Sequence, residues 1–123
     1  MRMEGKSVLR EKSFNFGLII IEVCRHLKES KKEYILYRQL LRSGTAIGAL
    51  IREAEFAQST ADFINKLSIA LKEANETEYW FELLIASECL EKEAHRSGVQ
   101  LLKELIKMLI ASINTVKKNS GQK

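Results

Sequence analysis

Residues 34–58 read YILYRQLLRSGTAIGALIREAEFAQ, and along them apolar or small residues recur at Leu36, Leu40, Ser43, Ile47, Leu50, Ala54 and Ala57. The spacing alternates between 4 and 3, a heptad that puts these side chains on one face of a helix. A parallel row, Tyr37, Leu41, Gly44, Gly48 and Ile51, widens that face. Gly44 and Gly48 each cost a helix about 1 kcal/mol relative to alanine. The compensation expected is close approach of another helix.

The pattern extends in both directions. Upstream, Phe16, Ile20, Val23 and Leu27 make one helical face, widened by Phe14, Leu18, Ile21 and Cys24, with Ser13 as the expected N-cap. Downstream, Ser59 with Asp62 resembles a capping box that opens a third helix, with Asp62 in place of the usual Glu. Its seam is Phe63, Leu67, Ala70, Ala74, Thr77, Phe81 and Leu84, with Tyr79 and Trp80 off the seam. A fourth face follows in Val99, Leu102, Ile106, Leu109, Ile113 and Val116.

The 123 residues are 46% apolar and 29% charged, and contain no proline and six glycines. That is enough apolar content for a core, and too few turn residues for an all-β fold. The expectation is an all-α, antiparallel up-down-up-down four-helix bundle, with helices at about 13–29, 34–58, 59–88 and 91–117. It comprises a flexible basic N-terminus at 1–12, one bundle domain at 13–117 and a disordered tail at 118–123. The N-terminus is too polar for a signal peptide, and the apolar runs, such as Gly17–Ile21, are far too short to span a membrane. A cytoplasmic protein without membrane attachment is therefore expected.

Charge is segregated along the chain. The formal net charge of +4 is contributed by the two ends, since residues 1–12 carry +2 and residues 117–123 carry +3. Within the body, residues 23–52 hold seven basic and two acidic side chains, while residues 73–104 hold eight acidic and three basic ones. In an up-down bundle the first and third joints share one end, so these blocks lie side by side, within a subunit or between subunits.

The chain offers little for catalysis. Neither His26 nor His95 has Glu three residues before it, as a carboxylate-bridged di-metal bundle requires. Glu73 and Glu76, like Glu88 and Glu91, are one turn apart and could hold a hard cation, as in a metal-dependent nucleotide hydrolase. The same spacing is ordinary on a solvated helix face. There is no phosphate loop, nucleophile elbow or Cys–His constellation. Cys24 and Cys89 read as free, buried thiols. No cofactor, metal or small-molecule substrate is implied.

The polar residues along the second and third helices read as interhelical register contacts. If the two form a hairpin about Gln58 and Ser59, facing positions sum to about 117. Arg42 then faces Asn75 and Glu76, Glu53 comes within reach of Lys66, and Thr45 faces Lys72.

Two stretches carry a resemblance. Arg42-Ser43-Gly44-Thr45-Ala46-Ile47-Gly48-Ala49 with Glu53-Ala54 is the first. The second is Asp62-Phe63-Ile64-Asn65-Lys66-Leu67-Ser68-Ile69-Ala70-Leu71-Lys72-Glu73-Ala74 with Glu76-Thr77 and Tyr79-Trp80. With Lys12-Ser13-Phe14, they resemble the bacterial four-helix bundle proteins first noticed as reading frames in intervening sequences of 23S ribosomal RNA genes. The similarity runs from about Lys12 to Val116, with Leu50 where many members have Asn. The resemblance implies a four-helix bundle, a ring-shaped homopentamer and no established enzymatic activity. It also implies a kinship with accessory proteins of diversity-generating retroelements, which bind a reverse transcriptase and nucleic acid.

The sequence reading is thus a non-enzymatic, oligomeric scaffold or interaction protein. Its structural and oligomer candidates are Arg42, Ser43, Gly44, Gly48, Glu53, Lys66, Lys72, Glu73, Glu76, Tyr79 and Trp80. The alternative is an RNA- or DNA-binding accessory protein acting with a nucleic-acid enzyme, through Arg25, Lys28, Lys31, Lys32 and Arg38 and the basic ends.

Overall fold

The computed structural model describes residues 3–30 and 35–120, with side chains from Val8 onward. Four helices follow one another: α1 (Met3–Ser30), α2 (Leu36–Glu55), α3 (Thr60–Ala86) and, after a 3₁₀ turn at Glu93–His95, α4 (Arg96–Asn119). Helix α1 packs on α2 and α4, and α3 packs on the same two, so α1 lies diagonal to α3. This is the antiparallel up-down-up-down bundle. The core is built from the heptad positions: Phe16, Ile20 and Leu27 meet Leu40, Ile47, Leu67, Phe81, Leu84, Leu102 and Leu109, all essentially without solvent exposure.

Helix α1 begins ten residues earlier than expected. Ser13 is no N-cap; it is buried within the helix and its hydroxyl donates to the Arg10 carbonyl at 3.1 Å. A serine can satisfy itself in this way inside a helix. Leu9 continues the seam upstream of Phe16 and joins the core. Residues 8–12 therefore belong to the bundle, and Arg10 and Lys12 are tied to Glu55 and Glu104 by ion pairs at 3.9 and 3.1 Å. The tail is shorter than expected as well, since Lys118 and Asn119 complete α4. Residues 1–2, Lys31, Lys32, Glu33, Tyr34 and residues 121–123 lie outside the described residues.

Helix α2 stops at Glu55, three residues before the expected end, and leaves Phe56 largely exposed in the joint. The Ser59 cap forms as read: its hydroxyl accepts from the Asp62 amide at 3.0 Å. The Asp62 carboxylate reaches back to the Gln58 amide at 3.2 Å, one residue outside the usual capping box.

Helix α3 ends at Ala86 because Glu88 turns left-handed, with φ 65°. The Cys89 amide donates to the Leu84 carbonyl at 2.9 Å and the Glu88 amide to the Ile85 carbonyl at 3.0 Å. Those two bonds make a Schellman motif, with glutamate in the place glycine usually holds. A left-handed L-residue costs roughly 1–2 kcal/mol, against about 0.5–1 kcal/mol of added chain entropy for glycine. Glu88→Gly is therefore expected to raise the thermal midpoint, by an amount corresponding to about 0.5–1 kcal/mol. A lowered midpoint would show that the glutamate side chain contributes an interaction of its own.

Candidate interaction surface on the α2 and α3 faces

The Arg42–Glu76 and Glu53–Lys66 contacts fall where hairpin counting puts them, and the Thr45–Lys72 contact does not form. Arg42 on α2 reaches α3, where its Nη1 donates to Glu73 Oε1 at 3.3 Å and its Nη2 to Glu76 Oε2 at 2.5 Å. Glu76 Oε2 also accepts from the Trp80 indole at 3.0 Å. One carboxylate thus ties the guanidinium to the aromatic ring one turn along α3. Tyr79 tilts against Trp80 at 56° with ring centroids 5.2 Å apart, and faces outward while Trp80 packs on the core. Lower on the same hairpin, Lys66 sits 4.0 Å from Glu53 and 3.6 Å from Asp62. Thr45 turns back to its own helix, donating to the Leu41 carbonyl at 2.7 Å, and Lys72 stays exposed.

Beneath Arg42, Ser43 and Thr77 are both fully buried, with their hydroxyl oxygens 2.8 Å apart. Thr77 Oγ1 also lies 2.7 Å from the Glu73 carbonyl. Threonine has one proton and the carbonyl none, so Thr77 donates to Glu73 and Ser43 donates to Thr77. Ser43 and Thr77 therefore form a satisfied polar link inside an apolar seam.

The two glycines face α1, and they differ. A Cβ on Gly44 would stand 2.6 Å from Ile20 Cγ1 and 2.8 Å from Ile20 Cδ1. A Cβ on Gly48 would meet the Ser13 carbonyl at 3.4 Å, an ordinary contact. Close approach of helices is therefore required at Gly44 alone.

This geometry leaves the Glu73–Glu76 pair occupied by Arg42, so a cation would have to displace a guanidinium. Glu88 and Glu91 are exposed in the joint. Among the described residues, no group of three or more His, Cys, Asp or Glu side chains is placed to hold a metal ion. Nor is any described helix long and apolar enough to cross a membrane. Cys24 is buried, donates to the Tyr37 carbonyl at 3.3 Å, and has its thiol pushed up to about 11 by burial. Cys89, read as buried, is only half-buried.

At the end shared by the first and third joints, Arg25 pairs with Glu22 on its own helix, and Lys28 is exposed. The Arg38 guanidinium lies 6.0 Å over the Tyr37 ring, within cation–π range. Lys31 and Lys32 lie outside the described residues. Arg42 joins the basic block to the acidic one through Glu73 and Glu76, whereas among the described residues Arg25, Lys28 and Arg38 form no ion pair with it. His95 is held below its ordinary 6.5 by burial and by His26, with Glu91 opposing. The fold thus prefers neutral His95. Stability is expected to be full above pH 6.5 and to decline as the unfolded chain takes up the proton below it. Melts of the wild type and His95→Gln between pH 5 and 8 check this, since the wild type should lose more midpoint at the acid end than the variant.

One feature escaped the sequence reading. Phe14, Leu18 and Ile21 were expected to widen the core face of α1, but all three are exposed. They border a groove of about 240 Å³ between α1 and α2, which Gly17, Gly48 and Ala49 also line. Periodicity places them at the flank of the face and cannot say whether a neighbouring helix covers that flank.

The sequence profile of 23S rRNA-intervening sequence proteins matches residues 6–111. The chain belongs to that family. Its fold is similar to the crystal structure of a protein with unknown function from the S23 ribosomal protein family of Bacteroides thetaiotaomicron, with a TM-score of 0.86 and 51% identity over 89% of this chain and 98% of that one. No curated protein is significantly similar to it. Both stretches that carry the resemblance, 42–54 and 62–80, lie inside the matched region of this 23S rRNA-intervening sequence family member. Much of what they encode is the α2–α3 register just described.

Proposed function

We propose that the protein is a non-enzymatic, self-assembling scaffold that presents its bundle faces to copies of itself and to a partner, most simply as a homopentamer. The observation that carries this reading is the use made of its polar motif residues. Arg42, Glu73, Glu76, Ser43 and Thr77 are satisfied by one another across α2 and α3 rather than converging on a shared cavity. An enzyme needs polar groups left free to act on a substrate. Large apolar side chains are meanwhile left uncovered on α1 and α3, as at interaction surfaces. Light scattering at micromolar concentration tests the reading. A stable oligomer is expected, and a monomer would overturn it.

A second reading is an accessory protein for RNA or DNA. It is favoured by the exposed Arg25, Lys28 and Arg38 gathered near one end, with Arg38 over an aromatic ring. Binding of this kind is expected to be sequence-independent, at about 10⁻⁴–10⁻⁶ M at physiological salt, and to weaken as salt rises. Titration of a labelled single-stranded RNA at several salt concentrations decides, with the triple variant Arg25→Gln, Lys28→Gln, Arg38→Gln as the control that should lose binding.

A further inference from the structure

Helix α1 carries a row of large apolar side chains that the other described helices leave only partly covered. Phe14, Leu18 and Ile21, spaced by 4 and 3 residues, are 56%, 51% and 42% exposed. The groove they border is lined by Gly17, Gly48 and Ala49, which leave depth for an inserted side chain, and its charged lining residues are Arg52 and Arg10, the latter already paired with Glu55 at 3.9 Å. Arg52 is exposed and forms no ion pair among the described residues. On the diagonal helix α3, Tyr79 and Leu83 stand one turn apart and are 53% and 36% exposed. Glu78 and Glu82 accompany them, and Arg42 is already engaged by Glu73 and Glu76. Glu78 and Glu82 form no ion pair among the described residues.

We propose that the α1–α2 groove receives the Tyr79–Leu83 face of a second copy of this chain. This rests on the self-assembly reading above and adds which faces meet. Charge selects the pairing. Two grooves face to face would oppose Arg52 to itself, and two α3 faces would oppose Glu78 and Glu82 to themselves. The mixed contact sets Arg52 against Glu78 and Glu82. Tyr79 is the anchor suited to a pocket floored by small residues, since aromatic side chains dominate such contacts. Because α1 and α3 are diagonal, each copy gives one face and receives with another. The contact is therefore heterologous, and it repeats head to tail until a ring closes or a filament grows.

Two variants test this, Leu18→Glu, which blocks the groove, and Leu83→Glu, which blocks the inserted face. Sedimentation velocity at micromolar concentration is expected to find each one monomeric alone. Mixed in equal amounts, they should form a one-to-one dimer and nothing larger. The intact α3 face of the Leu18 variant enters the intact groove of the Leu83 variant, and both remaining faces are blocked. If only the Leu18 variant loses assembly, the contact is groove to groove, and the proposal is overturned. If only the Leu83 variant does, it is α3 to α3, with the same result. Assembly of both variants at wild-type size would overturn the proposal and leave the scaffold reading standing. A monomeric wild type would overturn both. Should circular dichroism show either variant unfolded, Phe14→Asp and Tyr79→Asp make the same pair of blocks at positions at least as exposed.

Discussion

Replacing Gly44 with alanine is expected to destabilise the bundle by roughly 1–3 kcal/mol, the usual range for overpacking a filled site. The same change at Gly48 is expected to be neutral, or to stabilise by up to about 1 kcal/mol through helix propensity. The two glycines are one turn apart on the same face of α2, so a difference between them isolates packing from propensity. At Gly44 the obstacle is Ile20, whose Cγ1, Cδ1 and Cγ2 would all lie within 3.0 Å of the new methyl. Ile20 is fully buried, and a β-branched side chain in a helix has little rotamer freedom with which to retreat. The backbones of α1 and α2 would have to separate. At Gly48 the neighbours are the Ser13 carbonyl and hydroxyl at 3.4 and 3.5 Å, which a methyl meets without displacement. Denaturant unfolding of both variants at one fixed protein concentration makes the comparison. Equal effects at the two positions would refute the assignment of close approach to Gly44.

Thr77→Val is expected to cost about 1–3 kcal/mol, the penalty of stranding a buried polar partner. Valine preserves the shape of threonine but leaves the Ser43 hydroxyl, fully buried, facing a methyl group. Removing both partners is a different matter. The double variant Ser43→Ala with Thr77→Val is expected to recover most of the loss, because no polar group is then left unpaired in the seam. A double-mutant cycle from urea unfolding measures this coupling. If the double variant is as unstable as the sum of the singles, the two hydroxyls are not a pair and Ser43 is satisfied within its own helix.

The Arg42–Glu76 and Glu53–Lys66 contacts were legible because a hairpin of two straight helices has one register, and counting from Ser59 fixes it. Bundle topology was legible for the same reason: short joints force antiparallel neighbours. The start of α1 was misread because Ser13 has the chemistry of an N-cap, and only Leu9 packing in the core reveals that the helix has already begun. Lys72, placed opposite Thr45, found no role there because Thr45 satisfies its hydroxyl on its own helix.

By itself the sequence determined the number of helices, their order, the whole seam of α3, most of the other seams and the register of α2 on α3. All of these follow from periodicity and chain connectivity, which are local properties. On α4 the fully buried Leu105 was passed over for its half-buried neighbour Ile106. Tertiary structure alone decided which of two equivalent glycines is pressed against Ile20, and which apolar residues of α1 stay uncovered. Phe14 and Phe16 are both large, apolar and close in the chain, yet one is mostly exposed and the other fully buried. Their difference depends on where α2 and α4 stop covering α1, and the width of that cover is a distance between helix axes that no residue pattern along one helix contains.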